Sequence, residues 1–358
     1  MTNLAVYNRL QDDLSKKIFI NRLLFSFTGE SVYHNNILDE MGVSKRSSDE
    51  CKDILCQSNA VVIYGAGVIG QLVKQFMDTI YVDTVAFCDS DSTKHNKTFH
   101  GVLCLSIDEL KRSFSHCIVI ISIASAEVIQ LIRDNLLSLG FQPHQVKSYR
   151  DLYLMQDANF EDKQYFDRDV LDNYVASPDK HVFIDAGCYD FSNSLDFIKW
   201  TGREDSKIIA FEPDPRQYSI CLEKSKSLHH AFVYPYGLWH KNTELFFSSN
   251  DNVRTASRIT DTSDTNLSIE VKALDSALAG EYVSFIKMDV EGAELNALKG
   301  AAKTIKKHKP ILAVCVYHKA EDILDIPEFI LSLNSNYKLY LRHYSVSICE
   351  TVLYALPG

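Results

Sequence analysis

The chain has 358 residues, 46% hydrophobic and 23% charged, with a formal net charge of −10 at pH 7. That length exceeds one ordinary compact domain and implies two, and the composition is that of a water-soluble globular enzyme. The acidic balance disfavours a large nucleic-acid interface, whose phosphate contacts need clustered Lys and Arg, and equally disfavours attraction to an anionic membrane.

Residues 1–56 read as charged and helical, a cap or oligomerisation arm without a chemical motif, so a homo-oligomer is an open expectation. The opening "MTNLAVYNRLQDDLSKK" lacks the apolar core of a signal peptide. No run approaches the ~18 apolar residues that a membrane span needs. The nine cysteines form no CxxC pair, and several lie inside apolar runs such as "HCIVIIS". Reduced, buried thiols in a cytoplasmic protein are therefore expected, not a disulfide framework or a zinc site.

From Asn59 short apolar runs alternate with helical periods, the texture of α/β units. "AVVIYGAGVIGQLVKQFM" reads as strand, glycine turn and helix, "TVAFCDSD" as a strand ending in acids, and "HCIVIISIAS" as a third strand. Between the last two, Ser106 with Glu109 three residues on makes a capping box for a helix. Residues 57–148 thus form a small Rossmann-like domain. Its Gly65-x-Gly67-x-x-Gly70 turn suits a pyrophosphate at a helix N-terminus, with Asp89 placed for a ribose hydroxyl. A nucleotide or nucleotide-sugar is the ligand this implies. No Tyr-x-x-x-Lys pair accompanies it, as a complete short-chain dehydrogenase would require.

Residues 149–180 are acidic and aromatic and read as a helical linker. A second alternation fills 181–358. Strands are expected at "HVFIDAG", "KIIAFEPD", "AFVYPYGLW", "VSFIKMDV" and "PILAVCVYH", with "TELFFSSN" and "LSIEVKAL" as a hairpin insertion. Helices follow at 192–200, 215–228 and 291–308. "YKLYLRHYS" and "ETVLYALP" close the chain as a hairpin with no room for a helix between them. The result is a seven-stranded sheet with a reversed last strand, the ending of class I methyltransferases, whereas dehydrogenase-type sheets finish on a parallel strand.

Ligands of such sheets bind outside the carboxyl ends of the strands. Asp185, Glu212 and Asp289 stand at three of those ends. Glu212 can take both hydroxyls of a ribose, Phe211 can face an adenine or ribose, and Gly187 permits close backbone approach. Strand-end acids also serve as helix caps, but three, at the first, second and fourth strand ends, are less easily dismissed.

"FIDAGCYD", "FEPDP", "IKMDVEGAELNALKGA" and "LRHYS…ETVLYALP" together resemble the FkbM family of S-adenosylmethionine-dependent methyltransferases, over about residues 181–358. The resemblance implies methyl transfer to an oxygen, on a sugar, glycan or related natural product. By it, Asp185 and Gly187 match the first cofactor turn and Glu212 the ribose acid, while Asp289 and Glu291 face the transferring methyl; Tyr189 is a cofactor contact of the part that departs from the family pattern. Phe191 stands where the family usually has glycine, and "GCYD" replaces its commoner turn.

A sugar hydroxyl is a poor nucleophile, so a base helps, and Asp289, Glu291 and His318 are the candidates, with His343 a weaker one. Asp289 and Glu291 alone are too few donors for a metal, and none is expected. Arg254 and Arg258 suit an acidic or phosphate-bearing acceptor. Two other readings compete. One is a non-catalytic nucleotide-binding protein with a degenerate methyltransferase fold, and the other is an NAD(P)-linked sugar-modifying enzyme using "GAGVIG".

Overall fold

The computed structural model describes residues 3–41, 60–79, 82–123, 125–149, 151, 163–175, 181–248, 258–260, 268–345 and 348–358. It is a mixed α/β chain that divides into two compact units, one of residues 31–161 with 345–348 and the other of 1–30, 162–344 and 349–358. No described helix is long and apolar enough to cross a membrane.

The chain opens with helices α1 (Asn3–Tyr7), α2 (Asp13–Thr28) and α3 (Ser31–Glu40). Next come β1 (Ala60–Tyr64), α4 (Val68–Thr79), β2 (Asp83–Cys88), β3 (Thr98–Phe99), β4 (Val102–Leu105), α5 (Ile107–Phe114), β5 (Ile118–Ile121), α6 (Ala126–Ser138) and β6 (Val146–Ser148). These six strands form one sheet in the order β3-β4-β2-β1-β5-β6, parallel except for the β3–β4 pair. Its central strands carry the unbroken apolar runs of a sheet buried on both faces. Val61, Val62, Ile63 and Ile118 to Ile121 are all buried. Ser106 and Glu109 form the reciprocal capping box read from their spacing.

The larger unit continues with α7 (Arg168–Val175), β7 (Val182–Ala186), α8 (Ser192–Thr201), β8 (Lys207–Phe211), α9 (Pro215–Ser225) and β9 (Ala231–Tyr234). After these come β10 (Gly237–Leu238), β11 (Thr243–Ser248), β12 (Arg258–Thr260), β13 (Ser268–Lys272) and α10 (Leu274–Ala277). The chain then runs through β14 (Phe285–Met288), α11 (Glu294–Gly300), α12 (Ala302–His308), β15 (Ile311–Cys315), α13 (Asp322–Leu333), β16 (Lys338–His343) and β17 (Thr351–Leu356). The main sheet has the order β16-β17-β15-β14-β7-β8-β9. Strands β9, β8, β7, β14 and β15 are mutually parallel, and β17 lies antiparallel between β15 and β16.

Beside it, β11 and β13 pair antiparallel, and β10 and β12 extend them to four strands. The helix expected over 291–308 is broken into α11 and α12. A Cβ at Gly300 would collide with the Trp239 carbonyl oxygen, so the approach of that backbone is bought with a poor helix former and the chain kinks at Ala301.

An exposed sheet edge invites unwanted pairing, and β16 is such an edge. Here the N-terminal segment covers it. Leu10 bridges Leu339, the Ser15 hydroxyl accepts from the Leu341 amide at 2.9 Å, and Asp12 pairs with Arg342 at 2.7 Å. The described cysteines form no disulfide, and all but the half-buried Cys349 are buried.

Candidate active site

The carboxyl ends of β7, β8 and β14 lie side by side, and backbone contacts lock them together. The Gly187 amide donates to the Phe211 carbonyl at 3.0 Å. Gly187 has φ +75°, and a Cβ there would strike the Asp289 carbonyl oxygen, so only glycine lets the β7 turn lie against the end of β14.

Beneath this turn sits a buried ion pair. Asp185 and Lys287 face each other in register across β7 and β14, with Nζ 3.1 Å from Oδ1 and both side chains almost fully buried. Lys287 Nζ also donates to the Gly187 carbonyl at 2.7 Å, and the Ser194 hydroxyl donates to Asp185 Oδ2 at 2.7 Å. Burial alone would lower the Lys287 pKa, but the charges of Asp185 and Asp289 with the Asp185 hydrogen bond together outweigh it and hold the ammonium protonated. Asp185, expected against the cofactor, thus supports the turn from within the sheet. Lys287 escaped attention in the sequence, although a lysine inside "VSFIKMDV" signals a buried partner.

Glu212, 7% exposed, accepts from the Tyr189 amide through Oε2 and from the Asp214 amide through Oε1, each at 2.9 Å. Burial pushes its carboxyl up to about 7, and the two amides only partly oppose this. Both oxygens keep a lone pair for a further donor. Phe211 is buried, its ring 5.6 Å from Tyr234 and 5.5 Å from Tyr236, so the more exposed aromatic surface at this strand end belongs to Tyr234 and Tyr189.

Phe191 is the N-cap of α8 with φ +69° and is fully buried. A glycine would take that backbone without strain. The phenylalanine's cost, ~1–2 kcal/mol for a left-handed residue, is offset by a completely buried ring. Its side chain is wholly buried.

On the other side of the β14 end, three of the candidate residues converge. His318 Nε2 lies 3.6 Å from Asp289 Oδ1 and 3.5 Å from Glu291 Oε2, while Nδ1 lies 2.9 Å from Glu294 Oε1. Glu294 also accepts from the Val290 and Gly292 amides, which shapes the turn where Glu291 and Gly292 take positive φ. Burial disfavours the charged imidazole, but Glu294, Asp289 and Glu291 together outweigh it and raise His318 to about 9. At neutral pH His318 is a cation.

Asp289 Oδ2 accepts from the buried Tyr165 hydroxyl at 2.8 Å. Gln164 donates to Glu350, whose carboxyl burial pushes up to about 7. Tyr165, Glu294 and Glu350 were not legible as site residues, because only the fold brings residues 164–165, 294 and 350 to one strand end. His343 is buried with Nδ1 2.8 Å from the Thr351 hydroxyl, an interior contact of the terminal hairpin. Arg254 lies outside the described residues, and Arg258 opens β12 with its side chain undescribed.

In the smaller unit, Gly65 has φ +111°, and a Cβ at Gly70 would collide with the Gly65 carbonyl, while Gly67 faces open space. Asp89 accepts from the Ala66 amide at 2.9 Å and pairs with Lys94 at 2.8 Å. The glycine turn and the acid therefore meet, with the carboxylate already engaged by the chain.

The glycine turn after β7, Glu212 just past β8 and Asp289 just past β14 thus stand at three neighbouring strand ends of a mainly parallel sheet. Residues 185–339, less than half of the chain, match the family described as the methyltransferase FkbM domain. The 2-O-methyltransferase NoeI of Sinorhizobium fredii (strain NBRC 101917 / NGR234) is 26% identical, the match covering 35% of this chain and 59% of NoeI, less than two thirds of that relative's length. Among solved structures, the methyltransferase FkbM from Methylobacillus flagellatus KT aligns with a TM-score of 0.45 at 18% identity, covering 87% of this chain and 98% of that one. Aeropyrum pernix fibrillarin, solved with natively bound S-adenosyl-L-methionine, aligns at 0.33 with 8% identity over 49% of this chain and 66% of its own.

Proposed function

We propose that the larger unit binds S-adenosylmethionine at the ends of β7, β8 and β14 and transfers its methyl group to a hydroxyl oxygen of a sugar, glycan or related natural product. The observation that carries this reading is the closure of the three strand ends, with the Tyr189 amide on Glu212 and the Asp289 carbonyl against Gly187. The antiparallel β17 between β15 and β16 supports a class I sheet. NoeI, a 2-O-methyltransferase, supports oxygen as the acceptor atom.

When bound, S-adenosylmethionine supplies a methyl carbon on a cationic sulfur, which an acceptor oxygen displaces in line. Glu212 holds the ribose hydroxyls, and Gly187 leaves room for the methionine portion, with Lys287 and Asp185 fixing the turn. Asp289 and Glu291 flank the acceptor oxygen. His318, already protonated, donates a hydrogen bond, so the acceptor's proton passes to a carboxylate, Glu291 being the more exposed of the two.

Calorimetric titration of the full chain with S-adenosylhomocysteine and, separately, NADH tests this. One saturable S-adenosylhomocysteine site is expected. No binding of it would overturn the reading, and tight NADH binding alone would favour a nicotinamide-linked enzyme.

Affinity carries a pH signature. Ribose hydroxyls donate to an ionised carboxylate, whereas free Glu212 titrates near 7. Below that pH the ligand must expel a proton, so affinity falls about tenfold per unit there and is level above roughly pH 8. The same raised carboxyl makes Glu212's contribution to folding greatest below its ordinary value of 4.5 and lost as pH rises through 7. Titrations from pH 6 to 8.5 in buffers of different ionisation enthalpy read the released proton directly.

Phe191→Gly should leave affinity within about twofold while costing roughly 2–4 kcal/mol of stability in denaturant unfolding, the lost ring outweighing the relieved strain. A large gain in affinity would instead mean that Phe191 blocks the site.

A further inference from the structure

We propose that Asp289, Glu294 and His318 form a divalent-cation site of two carboxylates and one imidazole. One donor atom from each lies within 4.8 Å of the others. The three come from different elements, Asp289 just past β14, Glu294 opening α11 and His318 just past β15, so the fold presents them together.

A second observation is independent of that proximity. Glu294 is fully buried, yet its Oε2 has no hydrogen-bond partner, and the buried Asp289 Oδ1 has none either, because Tyr165 donates to Oδ2. A buried carboxylate oxygen left unmatched is unfavourable, most of all on a charged group, and a cation bound by both would satisfy both.

Binding would take the place of the His318 proton, and two carboxylates with the imidazole so neutralised are donors for Mn²⁺, Fe²⁺ or Zn²⁺, with positions left open for water or an acceptor oxygen. This deepens the proposed methyl transfer and takes its catalytic meaning from it. An acceptor hydroxyl on the cation would lose its proton to Glu291 more readily. Its oxygen pair would form the bond to the methyl carbon as the carbon–sulfur pair stays on sulfur.

The test uses full-length protein stripped with EDTA, titrated with Mn²⁺ and followed by electron paramagnetic resonance. Expected are one saturable Mn²⁺ per chain and nitrogen hyperfine coupling from an imidazole, a signature that needs no variant. His318→Gln should abolish the coupling, and Glu294→Gln, which keeps an oxygen for the turn amides, should weaken Mn²⁺ binding by about 100-fold, the upper end of what losing even a supporting partner costs. S-adenosylhomocysteine titrations on the same samples keep the two proposals separate. Absence of saturable Mn²⁺, Mn²⁺ without nitrogen coupling, or coupling that survives His318→Gln overturns the cation site, whatever happens with S-adenosylhomocysteine. Mn²⁺ binding without S-adenosylhomocysteine binding leaves the cation site standing and sinks the methyl-transfer reading.

Discussion

Lys287→Met is expected to lower the melting temperature of the chain by roughly 10 °C. Lys287 and Asp185 are a fully buried pair, and removing one partner leaves the other charged and uncompensated, a loss of about 3–5 kcal/mol. In a unit of this size each kcal/mol moves the midpoint by roughly 2–4 °C. The loss should be specific to the orphaned charge. Asp185→Asn combined with Lys287→Met, which removes both charges, should recover more than half of it in scanning calorimetry. The single variant should also weaken S-adenosylhomocysteine binding, because Lys287 holds the Gly187 carbonyl. If the double variant melts no higher than the single one, the pair is not what stabilises the turn.

Glu212→Ala should abolish measurable S-adenosylhomocysteine binding, a fall of at least about 100-fold. Two charge-assisted bonds from ribose hydroxyls at ~1.5–3 kcal/mol each account for that. The variant also frees the Tyr189 and Asp214 amides, so the turn itself loosens. Glu212→Gln separates the two effects, since it keeps an acceptor oxygen for one of the two amides but lacks the charge, and it should fall between wild type and alanine. Its affinity should also lose the pH dependence near 7.

Much of the larger unit was readable because its strands are short apolar runs closed by an acid and a glycine. "HVFIDAG" and "VSFIKMDV" gave strands at 182–186 and 285–288. The direction in which a strand-end side chain points was less legible. Asp185 looks like a ligand acid in one dimension, and only the register opposite Lys287 shows it turned into the sheet. The cluster past the β14 end was read in part. Asp289, Glu291 and His318 were singled out by their positions at strand ends, whereas Glu294 hid one helical turn beyond, looking like an ordinary first-turn acid. Tyr165 and Glu350 stand more than a hundred residues before and some sixty after Asp289, and no local pattern announces that they meet it. In the smaller unit the strand "VKS" at 146–148 is too short and polar to register by periodicity, and it is recruited only by pairing with β5.

The central claim is that the crevice above β7, β8 and β14 is where the methyl donor binds. The most direct measurement is a crystal structure of the full chain soaked with S-adenosylhomocysteine. The account predicts the ribose hydroxyls within hydrogen-bond distance of Glu212 and the sulfur directed toward Asp289. Electron density for the ligand at the Gly65–Gly70 turn instead, or an empty crevice at saturating ligand, would contradict it.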